Sequence, residues 1–241
     1  MGFRLMRLLL AAGLLGMLAG CGNRDTAPPS VVPVESEAGE SVDPETRDVW
    51  LERLEVASRE LYSAREAVVA AVGIEPGDWV GDIGAGTGLY SLLFAEQVGE
   101  TGRVFAEDIE PSFLDLITRR VDDAGITNVT AVLGLNDDVT LPRAAFDIIF
   151  IADTYHYFDN REAIMRTIYD ALKPAGRLVM VEYEVTPGEE RRDYAAHVRF
   201  GKASVTSELE FIGFQFVGAP SVEGLSENYF LVMRKPETIA N

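Results

Sequence analysis

A glycine-rich segment directly after an apolar run is the feature that most limits the folds open to this chain. The run Trp79–Ile83 predicts a strand, and Gly84, Gly86 and Gly88 follow it before a helical pattern begins. Glycine lets the backbone adopt positive φ and lets a ligand approach closely. A helix amino terminus behind such a loop favours negatively charged or polar ligand groups. The segment therefore predicts a ligand-binding loop at the carboxyl end of a strand.

Strand and helix patterns alternate along the rest of the chain. The expected strands are 79–83, 103–108, 129–133, 146–151, 177–184, 214–218 and 229–234. The expected helices are 89–98, 111–124, 161–172 and one that contains 206–212, after a helical extension over 45–72 that breaks near 57–58. This alternation predicts an α/β fold with a doubly wound, Rossmann-like sheet of seven strands, mostly parallel. The last two strands are close in sequence and are expected to form an antiparallel hairpin.

Composition limits the partners of the chain. A formal net charge of −18 argues against nucleic acid, because binding to phosphates depends on a surplus of Lys and Arg. Cys21 is the single cysteine, so it allows neither an intrachain disulfide nor a Cys/His metal cluster. No other metal-binding pattern is evident.

The first residues have the pattern of a targeting signal. Basic Arg4 and Arg7 precede an apolar stretch over 8–19 that is too short to span a membrane as a helix. The stretch ends in Leu-Ala-Gly before Cys21, which resembles the bacterial lipobox and implies a signal peptide over 1–20 and a lipid on Cys21. The Pro-rich residues 21–42 are expected to form a disordered tether that precedes a folded domain over 43–241. The resemblance places the protein at the bacterial cell envelope, facing the periplasm or exterior. An uncleaved membrane helix or a wrong start codon is the alternative, and a misread lipobox would leave the protein in the cytoplasm.

Three features in and around the glycine loop restrict the chemical class of ligand that the loop can bind. The spacing is Gly-x-Gly-x-Gly and differs from the dinucleotide pattern Gly-x-Gly-x-x-Gly. Asp82 stands two residues before the first glycine, where its charge repels a pyrophosphate and attracts an ammonium group. Asp108 ends the second strand, where a carboxylate can accept hydrogen bonds from ribose hydroxyls. Together these residues favour a nucleoside that carries an amino acid.

Several motifs resemble those of class I S-adenosylmethionine-dependent methyltransferases. The matching segments are VGDIGAGTG, VFAEDIEP, FDIIFIADTYHYFDN and ALKPAGRLVMVEY, and the likeness covers about residues 68–234. The chain also resembles a bacterial group of predicted, often exported methyltransferases. The resemblance implies S-adenosylmethionine as cofactor and a small molecule as methyl acceptor.

The resemblance also implies roles for individual residues. Gly84, Ala85 and Gly86 would pass under the methionine part of the cofactor, with Gly88 at the start of the helix, and Asp82 would orient the ammonium group. Asp108 would hold the ribose, and Ile109 would pack on the adenine. Asp137, with Asp138 beside it, is expected at the adenine amino group, although Leu135 stands where many relatives have Asp. The alternatives are a helix-capping role for Asp108, turn roles for the Asp pair, and a Glu107 side chain that faces away from the ligand.

Polar residues after the fourth strand are the candidates for catalysis. Methyl transfer from a sulfonium is a direct displacement, so the protein mainly aligns the reactants and excludes water. His156 is expected to be either a general base or a structural histidine. Tyr155 would form an aromatic wall or pack internally, and Asp153 would orient the nucleophile or the cofactor amine. Further candidates are His197 and Arg199 in the region after the fifth strand, and Tyr62 and Arg65 in the helical extension.

Three functions are compatible with these patterns. The first is a small-molecule methyltransferase. The second is a non-catalytic envelope lipoprotein that binds S-adenosylmethionine or a nucleoside, since the cofactor is made in the cytoplasm and the lipobox directs export. The third is a nicotinamide-dependent oxidoreductase, which would need the Gly-x-Gly-x-x-Gly spacing that is absent from the sequence.

Overall fold

The computed structural model describes residues 44–185 and 198–237. The predicted signal peptide over 1–20, Cys21, the predicted tether over 21–42 and His197 lie outside the described residues. Within the described ranges, no helix has both the length and the apolar character required to cross a membrane.

Seven helices, one 3-10 turn and seven strands make up the described chain. The helices are α1 (Pro44–Leu54), α2 (Glu60–Ser63), α3 (Arg65–Val72), α4 (Leu89–Val98), α5 (Pro111–Asp123), α6 (Arg161–Ala171) and α7 (Lys202–Ile212), with the 3-10 turn at Tyr155–Tyr157. The strands are β1 (Trp79–Ile83), β2 (Arg103–Asp108), β3 (Val129–Leu133), β4 (Phe146–Ala152), β5 (Leu172–Tyr183), β6 (Gln215–Gly218) and β7 (Asn228–Arg234). The break predicted near 57–58 is confirmed, because α1 ends at Leu54 and α2 begins at Glu60.

The strands form one seven-stranded sheet in the order β3-β2-β1-β4-β5-β7-β6. Strands β1 to β5 are parallel, and β7 pairs antiparallel with both β5 and β6. The predicted mostly parallel sheet with an antiparallel C-terminal hairpin is therefore confirmed. The strand order reverses between β1 and β4, and in such sheets ligands bind in the crevice at the carboxyl ends of the strands beside that point.

Helices cover both faces of the sheet, which explains the continuous apolar run in β4. Ile148 and Phe150 pack with residues of α3 and α4 on one face. Ile149 and Ile151 pack with residues of α6 on the other face. Because successive side chains of a strand point to opposite faces, a central strand covered on both sides must be apolar at every such position. This packing holds the carboxyl ends of β1 and β4 rigidly in register.

The start of β5 differs from the prediction by several residues. Strand β5 begins at Leu172 and not at 177, because Leu172 pairs with Phe146 before the pairing resumes at Ile148 and Arg177. Residues 173–176 of β5, between these two pairs, are the predicted Lys-Pro-Ala-Gly turn. The helix predicted to contain 206–212 is confirmed as α7, which begins at Lys202 directly after Gly201.

Ala175 has a left-handed backbone conformation in the turn that interrupts β5. Its φ is +64°, and its N–H donates to the Lys235 carbonyl oxygen at 3.0 Å, which joins the turn to the end of β7. A Cβ in this conformation lies too close to the following carbonyl oxygen, at a cost of about 1–2 kcal/mol. Glycine has no such cost.

Replacement of Ala175 by Gly is therefore expected to raise the free energy of unfolding by about 1 kcal/mol, measured by urea denaturation. The matched control is Ala70→Gly at an exposed position of α3, where the same change should lower stability by about 1 kcal/mol. Equal destabilisation by both substitutions would show that the turn carries no strain.

Candidate functional site

A cavity of about 610 Å³ opens at the carboxyl ends of β1, β2 and β4, beside the point where the strand order reverses. Its floor is the glycine loop between β1 and α4, and one wall is the segment after β2. The opposite wall is the loop after β4, and residues of α1 and the loop that follows it complete the lining. The cavity therefore lies where a doubly wound sheet binds its ligand.

The glycine loop has the conformation that its spacing predicted. Gly84 has a φ of +65°, and a Cβ built on it would lie 2.2 Å from the Thr154 side chain. Gly86 has a φ of +55° and lines the cavity beside Ala85. Gly88 forms the N-cap of α4 and packs against Ile117. The absence of a side chain at Gly84 thus lets the loops after β1 and β4 meet at the floor of the site.

Three carboxyl groups surround this loop. Asp82 is 3% exposed, and its Oδ2 accepts a hydrogen bond of 2.5 Å from the Ser91 hydroxyl. Asp108 accepts from the Gly86 N–H and from the Glu110 N–H, each at 2.9 Å. Its bonds therefore hold the glycine loop and the turn before α5, while the side chain also lines the cavity. Asp82 and Asp108 thus both line the cavity beside the glycine loop, where the sequence predicts them.

Glu107 is the third carboxyl group, and its position differs from the prediction. It was expected to face away from the ligand, but it is buried and lines the cavity, where the Gly84 N–H approaches its Oε2 at 3.4 Å. Gly134, just after β3, makes room for it, since a Cβ there would lie 1.6 Å from Glu107 Oε1. The glycine after β3 was the available sequence signal for this side-chain direction.

Burial controls the ionisation of these groups. It raises the pKa of Asp82 to about 7, against the opposing hydrogen bond from Ser91. It raises the pKa of Glu107 to about 8, and the negative charge of Asp108 adds to the effect. The pKa of Asp108 is also raised by burial, against hydrogen bonds from Glu110 and Gly86. The floor of the cavity is thus a cluster of acids that a bound cation would help to ionise.

Of the residues that follow β2 and β3, some line the cavity and others are exposed to solvent outside it. Ile109 is 57% exposed and lies at the cavity wall, as expected for a residue that packs on a flat ring. The contact of Asp137 with the ligand stays a prediction, although Asp137 is exposed and does not line the cavity. The reason is a tight turn closed by Leu135 and Asp138, which places Leu135 and Asn136 at the cavity.

The loop after β4 brings Asp153 to the cavity but buries two other predicted residues. Asp153 lines the cavity with a φ of +55°. Tyr155 is 2% exposed in the core, and its hydroxyl donates to Glu208 Oε2 at 2.6 Å. The side chain of His156 is 3% exposed and lies behind the loop, so neither side chain forms the cavity wall. The aromatic residues of this loop that do line the cavity are Tyr157 and Phe158.

Glu182, on β5, fixes the conformation of this loop. Its Oε1 accepts from the Thr154 N–H at 2.8 Å and from the Tyr155 N–H at 2.7 Å, and its Oε2 lies 2.8 Å from His156 Nδ1. Asp153, His156 and Glu182 offer atoms within 4.8 Å of one another, a spacing that could hold a metal ion. However, Glu182 is already satisfied by three N–H groups, and Asp153 is paired with Arg59. The role of Glu182 was not predictable from spacing, because its partners lie in the loop after β4, distant in sequence.

The N-terminal segment contacts α5 and the loop after β4 on either side of the cavity. Trp50 packs on Phe113 of α5 with ring centroids 5.0 Å apart, and Glu55 is paired with Arg120. Arg59 forms an ion pair of 2.5 Å with Asp153. The sequence patterns did not predict a role for Arg59 and instead indicated Tyr62 and Arg65, which follow it.

The remaining candidates from the sequence lie away from the cavity. Arg65 donates to the Tyr62 carbonyl oxygen at 2.7 Å, and its guanidinium lies over the Tyr62 ring. Neither residue lines the cavity, and Arg199 is exposed outside it.

Comparisons with known proteins agree with the fold. Residues 80–176 match the model of a methyltransferase domain. The ubiquinone/menaquinone biosynthesis C-methyltransferase of Hydrogenovibrio crunogenus is 35% identical over 112 residues, which are 46% of this chain and 44% of that protein. The chain thus spans less than half the length of that relative.

Solved structures with a similar fold include a SAM-dependent methyltransferase from Aquifex aeolicus. It has a TM-score of 0.66 and 22% identity, and the match covers 80% of this chain and 99% of that one. The phosphoethanolamine N-methyltransferase 2 of Haemonchus contortus, in complex with S-adenosyl-L-methionine, has a TM-score of 0.66 and 16% identity over 80% of this chain and 57% of that one. At these identities the likeness establishes the fold.

The raised pKa values predict how stability depends on pH. The folded protein retains protons on Asp82 and Glu107 up to about pH 7 and 8, whereas the unfolded chain releases them near their ordinary values of 3.8 and 4.5. The folded state therefore binds more protons between these limits, and stability falls as the pH rises from about 4 to 8. Urea denaturation across this range measures the slope, and Glu107→Gln should make it shallower.

The control for this series is Glu100→Gln, which neutralises an exposed carboxyl group far from the glycine loop in sequence. Its slope should equal that of the unmodified protein. If Glu107→Gln and Glu100→Gln changed the slope equally, the effect would come from net charge and not from the buried cluster.

Proposed function

We propose that the protein is an S-adenosylmethionine-dependent methyltransferase that acts on a small molecule by direct methyl transfer. The main support is that the matched methyltransferase domain over 80–176 contains most of the cavity lining, including the glycine loop, Asp82 and Asp108. A glycine loop alone would fit many nucleotides. Carboxyl groups behind it and on the neighbouring strand favour a nucleoside with a cationic amino-acid part.

The residues of the cavity account for each part of this cofactor. Asp108 accepts hydrogen bonds from the ribose hydroxyls, while Ile109 and Leu135 provide apolar surface for the adenine. Asn136 takes the place proposed from the sequence for Asp137, since its amide can hydrogen-bond the edge of the base. Asp82 and the backbone of Gly84 to Gly86 hold the methionine part.

The site is arranged for alignment of the reactants. The cofactor supplies a methyl group on a positively charged sulfur that is already a good leaving group. Asp153 orients the polar end of the reactants, and Tyr157 and Phe158 exclude water from the wall beside it. His156 acts indirectly, because its bond to Glu182 supports the loop that carries Asp153.

The acceptor is proposed to be a small apolar ring compound with a polar substituent. The wall of the cavity includes Leu61, Tyr157, Phe158 and Ile164, while Asp159 in the loop after β4 is polar. The relative from Hydrogenovibrio is named for a step of quinone biosynthesis, so quinone precursors are the first acceptors to test.

Binding and turnover are tested together on the folded protein. Calorimetric titration with S-adenosylmethionine should give saturable binding, and Asp108→Asn should weaken it at least tenfold, or about 1.4 kcal/mol. Asp137→Asn is the matched control, because this exposed carboxyl group lies outside the cavity wall and its loss should leave the affinity unchanged.

Transfer of a radiolabelled methyl group to a panel of aromatic hydroxy compounds and reduced quinones measures turnover. No binding of the cofactor at millimolar concentration by folded protein would refute the proposal. Binding without transfer to any acceptor would instead support the non-catalytic binding protein.

We also propose that the protein is anchored at the cell envelope through a lipid on Cys21, facing the periplasm or exterior. The support is the lipobox-like end of the apolar segment. Palmitate labelling of a bacterial host that expresses the full chain should mark the protein, and Cys21→Ser should abolish the label and release the protein into the soluble fraction. Undiminished labelling of Cys21→Ser would refute the anchor.

A further inference from the structure

Two cationic side chains line the cavity among the described residues, Arg53 and Arg59. Arg53 lies over the Trp50 ring at 5.5 Å, and Trp50 in turn packs on Phe113 of α5. Arg53 is therefore on the side of the cavity where α5 begins. Arg59 is paired with Asp153, which follows β4. The two arginines thus belong to different walls of the same site.

Arg59 is held in place but retains donors for a ligand. Its Nη2 donates to Asp153 Oδ2 at 2.5 Å, and its Nη1 donates to the Leu54 carbonyl oxygen at 3.1 Å. A guanidinium has five N–H groups in a planar fork, so these two bonds leave further donors. The side chain is 25% exposed, and the charge of Asp153 lowers the cost of keeping Arg59 in the cavity wall.

The surroundings of Arg59 place it near the glycine loop. Thr154, next to Asp153, contacts Gly84, the first residue of the loop. Arg59, Asp153 and Asp82 all line the cavity, as does Gly84. These charged groups therefore surround the end of the cavity that holds the amino-acid part of the cofactor in the proposed function.

This end of the cavity offers both signs of charge. Asp153 Oδ1 is buried and has no hydrogen-bond partner among the described residues, so it is an acceptor that a ligand ammonium group would satisfy. Arg59 provides the matching donor for a carboxylate, and Arg–carboxylate contacts are strong when two parallel N–H groups are used. A zwitterionic amino acid presents both groups on one carbon.

We propose that Arg59 binds the carboxylate of the amino-acid part of S-adenosylmethionine, and that Asp153 positions the guanidinium for this contact. The inference rests on the proposed function and adds a cofactor-binding residue from the N-terminal segment, outside the matched domain. It also explains why an ion pair joins that segment to the loop after β4.

A comparison of two ligands isolates this contact. S-adenosylhomocysteine contains the amino acid, whereas 5′-methylthioadenosine is the corresponding nucleoside thioether without it. In calorimetric titrations of the full chain, Arg59→Gln should weaken the binding of S-adenosylhomocysteine at least tenfold. The affinity for 5′-methylthioadenosine should change by less than twofold. Arg53→Gln is the matched control in the other wall and should not discriminate between the two ligands.

A second measurement needs no variant, in case Arg59→Gln does not fold. The carboxamide analogue of S-adenosylhomocysteine has no negative charge and should bind the unmodified protein at least tenfold more weakly than the acid. Equal affinity for acid and carboxamide would overturn the role of Arg59. If Arg59→Gln weakened the binding of S-adenosylhomocysteine and 5′-methylthioadenosine equally, the role of Arg59 would also be overturned. The ion pair would then serve loop stability alone. If the unmodified protein bound none of these nucleosides, the proposed function itself would fail.

Discussion

The candidate site depends on the buried carboxylate of Glu182. Its oxygens bind the Thr154 and Tyr155 N–H groups and lie beside His156 Nδ1, so the loop after β4 has one conformation. A buried carboxylate requires such partners, and bonds to a charged acceptor are stronger than neutral ones. The fixed loop presses Thr154 against Gly84 and presents Asp153 to Arg59. One side chain on β5 thereby connects β4, the glycine loop and the N-terminal segment.

The acids below the glycine loop complement this rigid frame. Asp82, Glu107 and Asp108 are withdrawn from water and repel one another, so each holds its proton more tightly than in solution. The burial of three neighbouring carboxyl groups lowers the stability of the fold, and such clusters are common at ligand-binding sites. A ligand with a sulfonium and an ammonium group supplies the missing positive charge.

Much of the fold was predictable because it follows from local patterns. The apolar run of β4, the glycines after β1 and the helical spacing of α4 and α5 each specify an element and its place in the sheet. Asp82, Asp108 and the glycines were predictable for the same reason, since strand ends meet at one edge. Asp137 lies outside the cavity wall and Tyr155 packs internally, because a tight turn and a buried 3-10 turn decide which neighbour faces the cavity. Glu107, Glu182 and Arg59 have partners distant in sequence, which spacing cannot reveal.

The contribution of α1 and the loop after it to the cavity has an evolutionary consequence. Trp50, Leu54 and Arg59 precede the domain that is shared with known methyltransferases, and Glu182 follows it. The inherited module therefore carries the cofactor floor, while segments outside it complete the walls. In the proposed function, exchange of these segments changes the wall beside the acceptor and also the Arg59 contact with the cofactor, so acceptor specificity and cofactor affinity would change together. Orthologues that share a substrate should then be recognised by their N-terminal helices as well as by the glycine loop.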